Sequence, residues 1–231
     1  MTDALEPIPA DLDEDGIEVR LLDLGRLGDL ESLAASYLTS PEAAEYAELR
    51  HPLRRREWLG ARVCVKRMAM GQGRVADPRQ CAVVKDPRGR PRLVFVPQST
   101  ADVVGDCSLS HKGQFVCAAT SSAVGSKIGV DIEEVSPRLR RLGDQFAHAR
   151  DSLLGSRPTD ERLAILWALK EASSKVVGRG LTAAFRTVIV QEIAPGRHRV
   201  VTGELELSGR HTLREGYVIA LCVGTAVAGE R

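Results

Sequence analysis

Two long helical segments, about Leu53 to Met70 and Thr159 to Val177, each run into a series of short strand-like stretches. This repeated order of one helix followed by antiparallel strands constrains the fold more than any other feature. It argues an α+β architecture: two similar subdomains related by a pseudo-twofold, each a long helix packed on a small antiparallel sheet. The helices also share a spacing, because Trp58, Arg62 and Lys66 mirror Trp167, Glu171 and Lys175. That match hints at an internal duplication. A chain of 231 residues suits one large domain or two small ones, with ample core. The expected division is a flexible lead-in over 1–16, a first subdomain over 17–126 and a second over 127–231. The active site is expected in the cleft between them.

Local signals place the elements. Ser40 is a good N-cap, with Pro41 at the first helical position and Glu42 adding negative charge in the first turn. His51-Pro52 interrupts that helix. Gly71-Gln72-Gly73 stops the next one, and Gly178 stops the second long helix. Strands are expected over Ile17–Leu24, Cys81–Lys85, Arg92–Val96, Cys107–Ser110, Gln114–Thr120 and Lys127–Val135. Pro137 to Leu154 reads as mostly helical. Three last strands are expected over Arg186–Ile193, Arg197–Leu207 and Tyr217–Val223.

Composition narrows the classes of function. A formal net charge of +1 gives no broad positive field, so any attraction for phosphate must be local. The five cysteines, Cys64, Cys81, Cys107, Cys117 and Cys222, are scattered and odd in number, with no C-x-x-C pair. That disfavours a disulfide scaffold or a structural zinc site. Residues 1–15 have neither a basic n-region nor an apolar h-region, and no run is long and apolar enough to span a bilayer. The expectation is a cytoplasmic protein.

The chemistry concentrates in two stretches. In Ile128-Gly129-Val130-Asp131-Ile132-Glu133-Glu134, side chains alternate between faces. Ile128, Val130 and Ile132 take one face and can enter the core; Gly129, Asp131 and Glu133 take the other. Two carboxylates so close repel unless a cation joins them. Hard oxygen ligands suit magnesium better than zinc. Gly129 keeps the shared face clear for a ligand or a neighbouring backbone. The alternative is a solvated acidic strand end. In Trp167-Ala168-Leu169-Lys170-Glu171-Ala172-Ser173-Ser174-Lys175, positions 167, 171 and 175 form one helical stripe. Glu171 and Lys175 alone would read as a surface ion pair. Trp167 on that stripe argues for partial burial, where a carboxylate wants a cation or a partner.

Two weaker elements accompany these. Ser108-Leu109-Ser110-His111 puts two hydroxyls on one face of a strand and a histidine at the turn, either a phosphate donor or a turn histidine with no role. The first long helix is strongly basic: Arg54, Arg55, Arg56, Arg62, Lys66 and Arg67. Arg55, Arg62 and Lys66 fall on neighbouring turns of one side, where arginine can fork onto phosphate. No G-x-S-x-G elbow and no aromatic-interleaved basic stretch is present.

The order S-x-S-H, then G-V-D-I-E, then W-x-x-K-E-A-x-x-K resembles the 4'-phosphopantetheinyl transferases. The length and doubled plan resemble their surfactin-synthetase-activating, single-chain pseudo-dimer type. The resemblance runs from about His51 to Gly180. It implies transfer of the phosphopantetheine arm of coenzyme A to a serine hydroxyl of an apo acyl or peptidyl carrier protein, with release of adenosine 3',5'-bisphosphate. It implies that Asp131, Glu133 and Glu171 hold magnesium (or manganese) on the pyrophosphate. Glu171 would also act, directly or through water, as the base. Lys170 and Lys175 would neutralise phosphate oxygens, Lys175 nearest the reacting group. Ser110 and His111 would contact coenzyme A, as would Asp131. Arg90, where the family often has lysine, would sit near the 3'-phosphate, with Arg55 and Arg62 as weaker candidates for that end. Lys112 departs from the pattern, following the histidine where a small residue is common. Some relatives have a further acidic residue near Arg150-Asp151, and Asp151 is assigned no role.

Two alternatives stand beside this reading: another magnesium-dependent nucleotidyl or phosphoryl transferase, and a non-catalytic module binding carrier proteins or nucleic acid. The first wants a glycine-rich phosphate loop, and none is present. The expected partners are carrier domains and coenzyme A, with no membrane and no nucleic acid. The internal duplication favours a monomer.

Overall fold

The computed structural model describes residues 7–14, 16–87, 89–96, 103–122, 125–178 and 183–225. It divides into two compact units, Met1–Val124 and Gly125–Arg231. Both are α+β, and every strand pairing within the two sheets is antiparallel.

The first unit contains β1 (Ile8–Pro9), β2 (Ile17–Asp23), α1 (Leu30–Tyr37), α2 (Ser40–Glu48), α3 (Pro52–Gly71), β3 (Cys81–Lys85), β4 (Pro91–Phe95), β5 (Val103–Lys112) and β6 (Phe115–Ser121). Its sheet runs β1-β2-β6-β5-β4-β3. The second contains β7 (Ser126–Glu134), a 3-10 turn at Pro137–Arg141, α4 (Gly143–Phe146), α5 (Thr159–Val177), β8 (Ile189–Ala194), β9 (Arg197–Thr202), β10 (Leu205–Arg214) and β11 (Tyr217–Thr225). Its sheet runs β7-β11-β10-β9-β8. Apart from the two-residue β1, the plans coincide. Each unit has a strand, a long helix, then four strands, the last of which pairs with the first.

The repeat is real, but its register differs from the tryptophan–lysine spacing. Lys66 of α3 is fully buried, and its Nζ donates to Glu42 Oε2 at 2.6 Å and to the Tyr37 carbonyl at 2.8 Å. Glu42 Oε1 accepts from the backbone N of Val83 on β3. In the second unit Lys170 is fully buried, and its Nζ donates to Asp151 Oδ2 at 2.8 Å. Asp151 Oδ1 accepts from the backbone N of Val190 on β8. The two lysine–carboxylate–strand relays have the same form, and by that likeness Lys66 corresponds to Lys170 rather than Lys175. A lysine in an apolar core must keep an opposite charge beside it, so this geometry is tightly specified.

Several local expectations need correction. Residues 7–14, expected to be a flexible lead-in, are anchored. Ile8 pairs with Leu21, Ala10 N donates to the Val19 carbonyl, and Ala10 and Leu12 are buried. The α2 cap is Thr39, not Ser40, because Glu42 turns back to accept from the Thr39 backbone N at 3.0 Å. Only half of 137–154 is helical, and only four of its residues are α-helical. Its regular structure is a five-residue 3-10 turn and the four residues of α4. The stretch 197–207 is two strands, because Gly203 adopts φ 62° and turns the chain between β9 and β10. Gly178 caps α5 as expected, at φ 72°.

The core of the second unit joins the inner side of α5 (Ala164, Ile165, Ala168, Leu169, Ala172, Val176) to Val190, Val200, Leu207, Val218, Ala220 and Cys222 of its sheet. All five cysteines are buried. Burial pushes the Cys64 thiol to about 12 and the Cys81 thiol to about 11. Among the described residues no helix is long and apolar enough to cross a membrane.

Candidate active site on β7 and α5

The face of β7 that carries Gly129, Asp131 and Glu133 is the face on which α5 lies. A Cβ at Gly129 would overlap the carbonyl oxygen of Ala172 and press on Lys175 Cβ. Glycine is therefore required for the backbones of β7 and α5 to approach. Of the two uses expected for Gly129, the neighbouring backbone is the one observed. Ile128, Val130 and Ile132 are buried on the opposite face, at 2% exposure or less. Gly129→Ala is expected to destabilise the chain by about 1–3 kcal/mol, the usual cost of overpacking. An unchanged urea midpoint would contradict this contact.

The close approach brings the acidic strand and the helical stripe together. Lys175 Nζ donates to Asp131 Oδ1 at 2.8 Å and to the Val130 carbonyl at 2.7 Å. Lys175 is thus not the partner in a simple surface pair with Glu171; it reaches back to β7. Asp131 and Glu133 are 6% and 4% exposed, so neither is a solvated strand end. Glu133 accepts from Arg138 Nη2 at 3.3 Å and from the backbone N of Glu134 at 3.0 Å. Glu171 is half-buried, and its carboxyl is pushed up to about 7. Burial is the main cause, the negative charges of Asp131 and Glu133 add to it, and Lys175 opposes it. Trp167 packs edge-on against Phe146 and Phe185, with ring centroids 5.1 and 5.4 Å away, and so fixes this end of the stripe.

A carboxyl held near 7 by burial beside two carboxylates has two chemical uses. It can exchange a proton near neutral pH, and it can give up that proton and bind a cation instead. The donor set, three carboxylates with hard oxygens, fits magnesium. The trio of described side chains whose candidate ligand atoms already lie within 4.8 Å of one another is elsewhere, at Glu192, His198 and His211.

Lys170, expected at a phosphate, must be reassigned. Its Nζ has 0% exposure and donates to the Phe146 carbonyl, the Val188 carbonyl and Asp151 Oδ2, at 2.7, 2.7 and 2.8 Å. An ammonium has three protons, and all three are used inside the unit. Asp151 is engaged in the same relay.

In the first unit, Arg62 is also turned inward. It is 5% exposed, lies 3.1 Å over the Trp58 ring, and ion-pairs with Glu42 and Glu45 at 3.8 and 3.6 Å. Burial lowers its guanidinium to about 10. It builds the α2–α3 packing and is not poised for phosphate. Arg55 ion-pairs with Glu31 and lies over Tyr46. Arg90 is bonded to Asp106 at 2.8 Å. Ser110 and His111 lie on β5 opposite Cys117 and Val116 of β6. His111 stands between two groups of α3, with Nδ1 3.3 Å from Glu57 Oε1 and Nε2 3.0 Å from Arg54 Nη1. Sequence reasoning passed over Arg54 and Glu57 as partners of this histidine. Their spacing of three, one helical face, was the available signal. It also passed over Arg138, which follows the acidic strand by one short turn.

Residues 127–222 match the family model described as the 4'-phosphopantetheinyl transferase superfamily. A curated relative, the 4'-phosphopantetheinyl transferase psf-1 of Bacillus pumilus, is 27% identical over 130 residues. That match spans 53% of this chain and 54% of the relative, so the chain spans about half of the relative's length. Among solved structures, a holo-(acyl-carrier-protein) synthase from Bacillus anthracis in complex with CoA is 25% identical. The overlap covers 44% of this chain and 96% of that one, at a TM-score of 0.38. A Thermotoga maritima holo-[acyl-carrier-protein] synthase is 23% identical over 61% of this chain and 79% of its own, at a TM-score of 0.37. The segment that contains Asp131, Glu133, Glu171 and Lys175 is thus the part of the chain that is similar to the 4'-phosphopantetheinyl transferase superfamily.

Proposed function

We propose that this chain transfers the 4'-phosphopantetheine group of coenzyme A to a serine hydroxyl of an apo acyl or peptidyl carrier protein, releasing adenosine 3',5'-bisphosphate. The observation that carries the reading is the junction of β7 and α5. There burial, with the charges of Asp131 and Glu133 adding to it, raises the Glu171 carboxyl to about 7, with Lys175 bonded to Asp131 alongside, inside the segment matched to the superfamily.

The roles follow from the chemistry. Glu171, as a carboxylate, accepts the proton of the incoming serine directly or through one water. The serine oxygen then forms a bond to the phosphorus that carries the pantetheine arm. The anhydride bond to the nucleotide breaks, and the electron pair leaves on the bisphosphate. Lys175 can turn from Asp131 to a phosphate oxygen, where its charge offsets the developing negative charge. Asp131, Glu133 and Glu171 would hold magnesium, which supplies charge neutralisation on the diphosphate when bound. In the same reading Ser110, His111, Arg90 and Arg55 contact coenzyme A, Arg90 at the 3'-phosphate end. His111 can donate to a phosphate oxygen once Arg54 releases Nε2.

The deciding assay incubates the protein with coenzyme A, magnesium and several apo carrier proteins, then weighs the carriers. A gain of one phosphopantetheine group is expected; no gain on any carrier would defeat the reading. Thermal shifts with coenzyme A and with ATP separate it from a nucleotidyl or phosphoryl transferase. Stabilisation by coenzyme A alone is expected, and by ATP alone would favour the alternative.

A pH dependence also follows. The ionised form of Glu171, which proton transfer and magnesium binding both need, is depleted below about 7 in the metal-free protein, so at limiting magnesium the rate on a saturated carrier is expected to rise through that range. A profile flat from pH 5.5 to 8 would remove Glu171 as the base.

A further inference from the structure

We propose that Glu192, His198 and His211 form a second metal site in the second unit, one suited to a borderline transition-metal cation such as zinc. The three residues lie on neighbouring strands β8, β9 and β10, and each occupies an inward-facing position. Glu192 follows Val190 by two residues, His198 precedes Val200 by two, and His211 follows Leu207 by four, so all point to the core side. The register brings them together: Glu192 pairs with His198, His198 pairs with Gly209, and the His211 backbone N donates to the Gly196 carbonyl. Gly209 makes the room, since a Cβ there would stand 3.2 Å from both His198 Cβ and Leu169 Cδ2.

Three polar side chains thus occupy positions that the strand period reserves for apolar ones. Glu192 is 5% exposed, His198 2% and His211 9%. One ligand atom from each lies within 4.8 Å of the other two. Two imidazoles and a carboxylate are a usual ligand set for zinc, iron or cobalt, with positions left for water or another ligand. The internal hydrogen bonds do not account for the whole cluster. His198 Nε2 and His211 Nδ1 are 2.7 Å apart and share one proton. His198 Nδ1 is buried with no hydrogen-bond partner, and such groups call for an explanation. Both rings are held below the ordinary histidine range, chiefly by burial.

The surrounding charges tolerate a cation. Arg157 binds Glu192 through two nitrogens at 2.8 and 3.0 Å, and the backbone N atoms of Leu154 and Gly196 complete that carboxylate. Arg157 also ion-pairs with Glu161 at 3.3 Å. It therefore keeps a partner if Glu192 turns one oxygen to a metal. With Glu161 and Glu192 against Arg157, the cluster carries one net negative charge before a cation arrives.

Titrating the full chain with cobalt(II) and zinc(II), in excess magnesium to occupy the hard-oxygen site, tests this. We expect one equivalent bound, a visible cobalt spectrum of nitrogen and oxygen ligation, and a zinc-induced rise in Tm of about 5 °C near a hundredfold excess over Kd. His211→Ala and His198→Gln should each weaken zinc by at least about tenfold. Should either variant fail to fold, ring 15N signals of the wild-type protein serve instead. The His198 and His211 signals should move with zinc. A silent titration means a hydrogen-bonded histidine pair only and overturns the site. So does a cobalt–thiolate band, which would place the metal on cysteine, or zinc binding that leaves both ring signals unmoved.

Discussion

Glu171→Gln is expected to lower phosphopantetheine transfer by about 10²–10⁴-fold, the usual contribution of a positioned base. The amide keeps the shape of the carboxyl but can neither accept the proton nor offer a charged oxygen. Stability separates this loss from misfolding. In the folded protein Glu171 titrates near 7, against 4.5 for the unfolded side chain. Between those values the native state binds the extra proton, so wild-type stability falls as pH rises from about 4.5 to about 7. The fully developed loss is about 3 kcal/mol. Glu171→Gln removes that slope. Its Tm should match wild type near pH 4.5 and exceed it at pH 8. A variant less stable than wild type at pH 8 would place the carboxyl outside the buried acidic cluster, and near-normal turnover would remove it as the base.

Lys170→Met should act on stability, not on coenzyme A. The substitution leaves Asp151 buried without its cation and strands two carbonyls, those of Phe146 and Val188. Breaking a buried pair from one side costs about 3–5 kcal/mol. For a chain of this size that lowers Tm by about 10 °C. Adding Asp151→Asn should recover part of the loss, because the amide oxygen still accepts from Val190 N while the buried charge is gone. The KM for coenzyme A should stay within about twofold in whatever fraction remains folded. A stable Lys170→Met protein with a greatly raised KM would return Lys170 to the phosphate. The related substitution Lys66→Met in α3 should cost a similar amount, since Lys66 sits in the matching relay with Glu42.

The contrast between Lys170 and Lys175 marks how far periodicity reaches. Five residues apart on an α-helix, the two are separated by about 140° around its axis. The motif W-x-x-K-E-A-x-x-K therefore cannot aim both at one phosphate, yet the letters alone do not say which is inward. The stripe 167, 171, 175 was legible because a four-residue spacing needs no knowledge of neighbours. The shared face of Asp131 and Glu133 was legible because strand alternation is local. That α5 covers this very face was not, because it depends on Gly129 meeting Ala172, a contact between residues 43 positions apart. Arg62 shows the same limit: its spacing with Arg55 is helical, but the presence of Trp58, Glu42 and Glu45 around it turned it into the core.

The order of elements, the α+β class, the doubling and the acidic and basic stripes follow from short-range rules: periodicity, caps and turns. Those rules act over a few residues and are written directly in the letters. Which charge ended up buried and spent, which stayed available, where the duplicated halves truly correspond, and that Glu192, His198 and His211 meet at all depended on packing. Burial and charge pairing join distant parts of the chain, and their energies exist only once the sheet and helix have closed on each other.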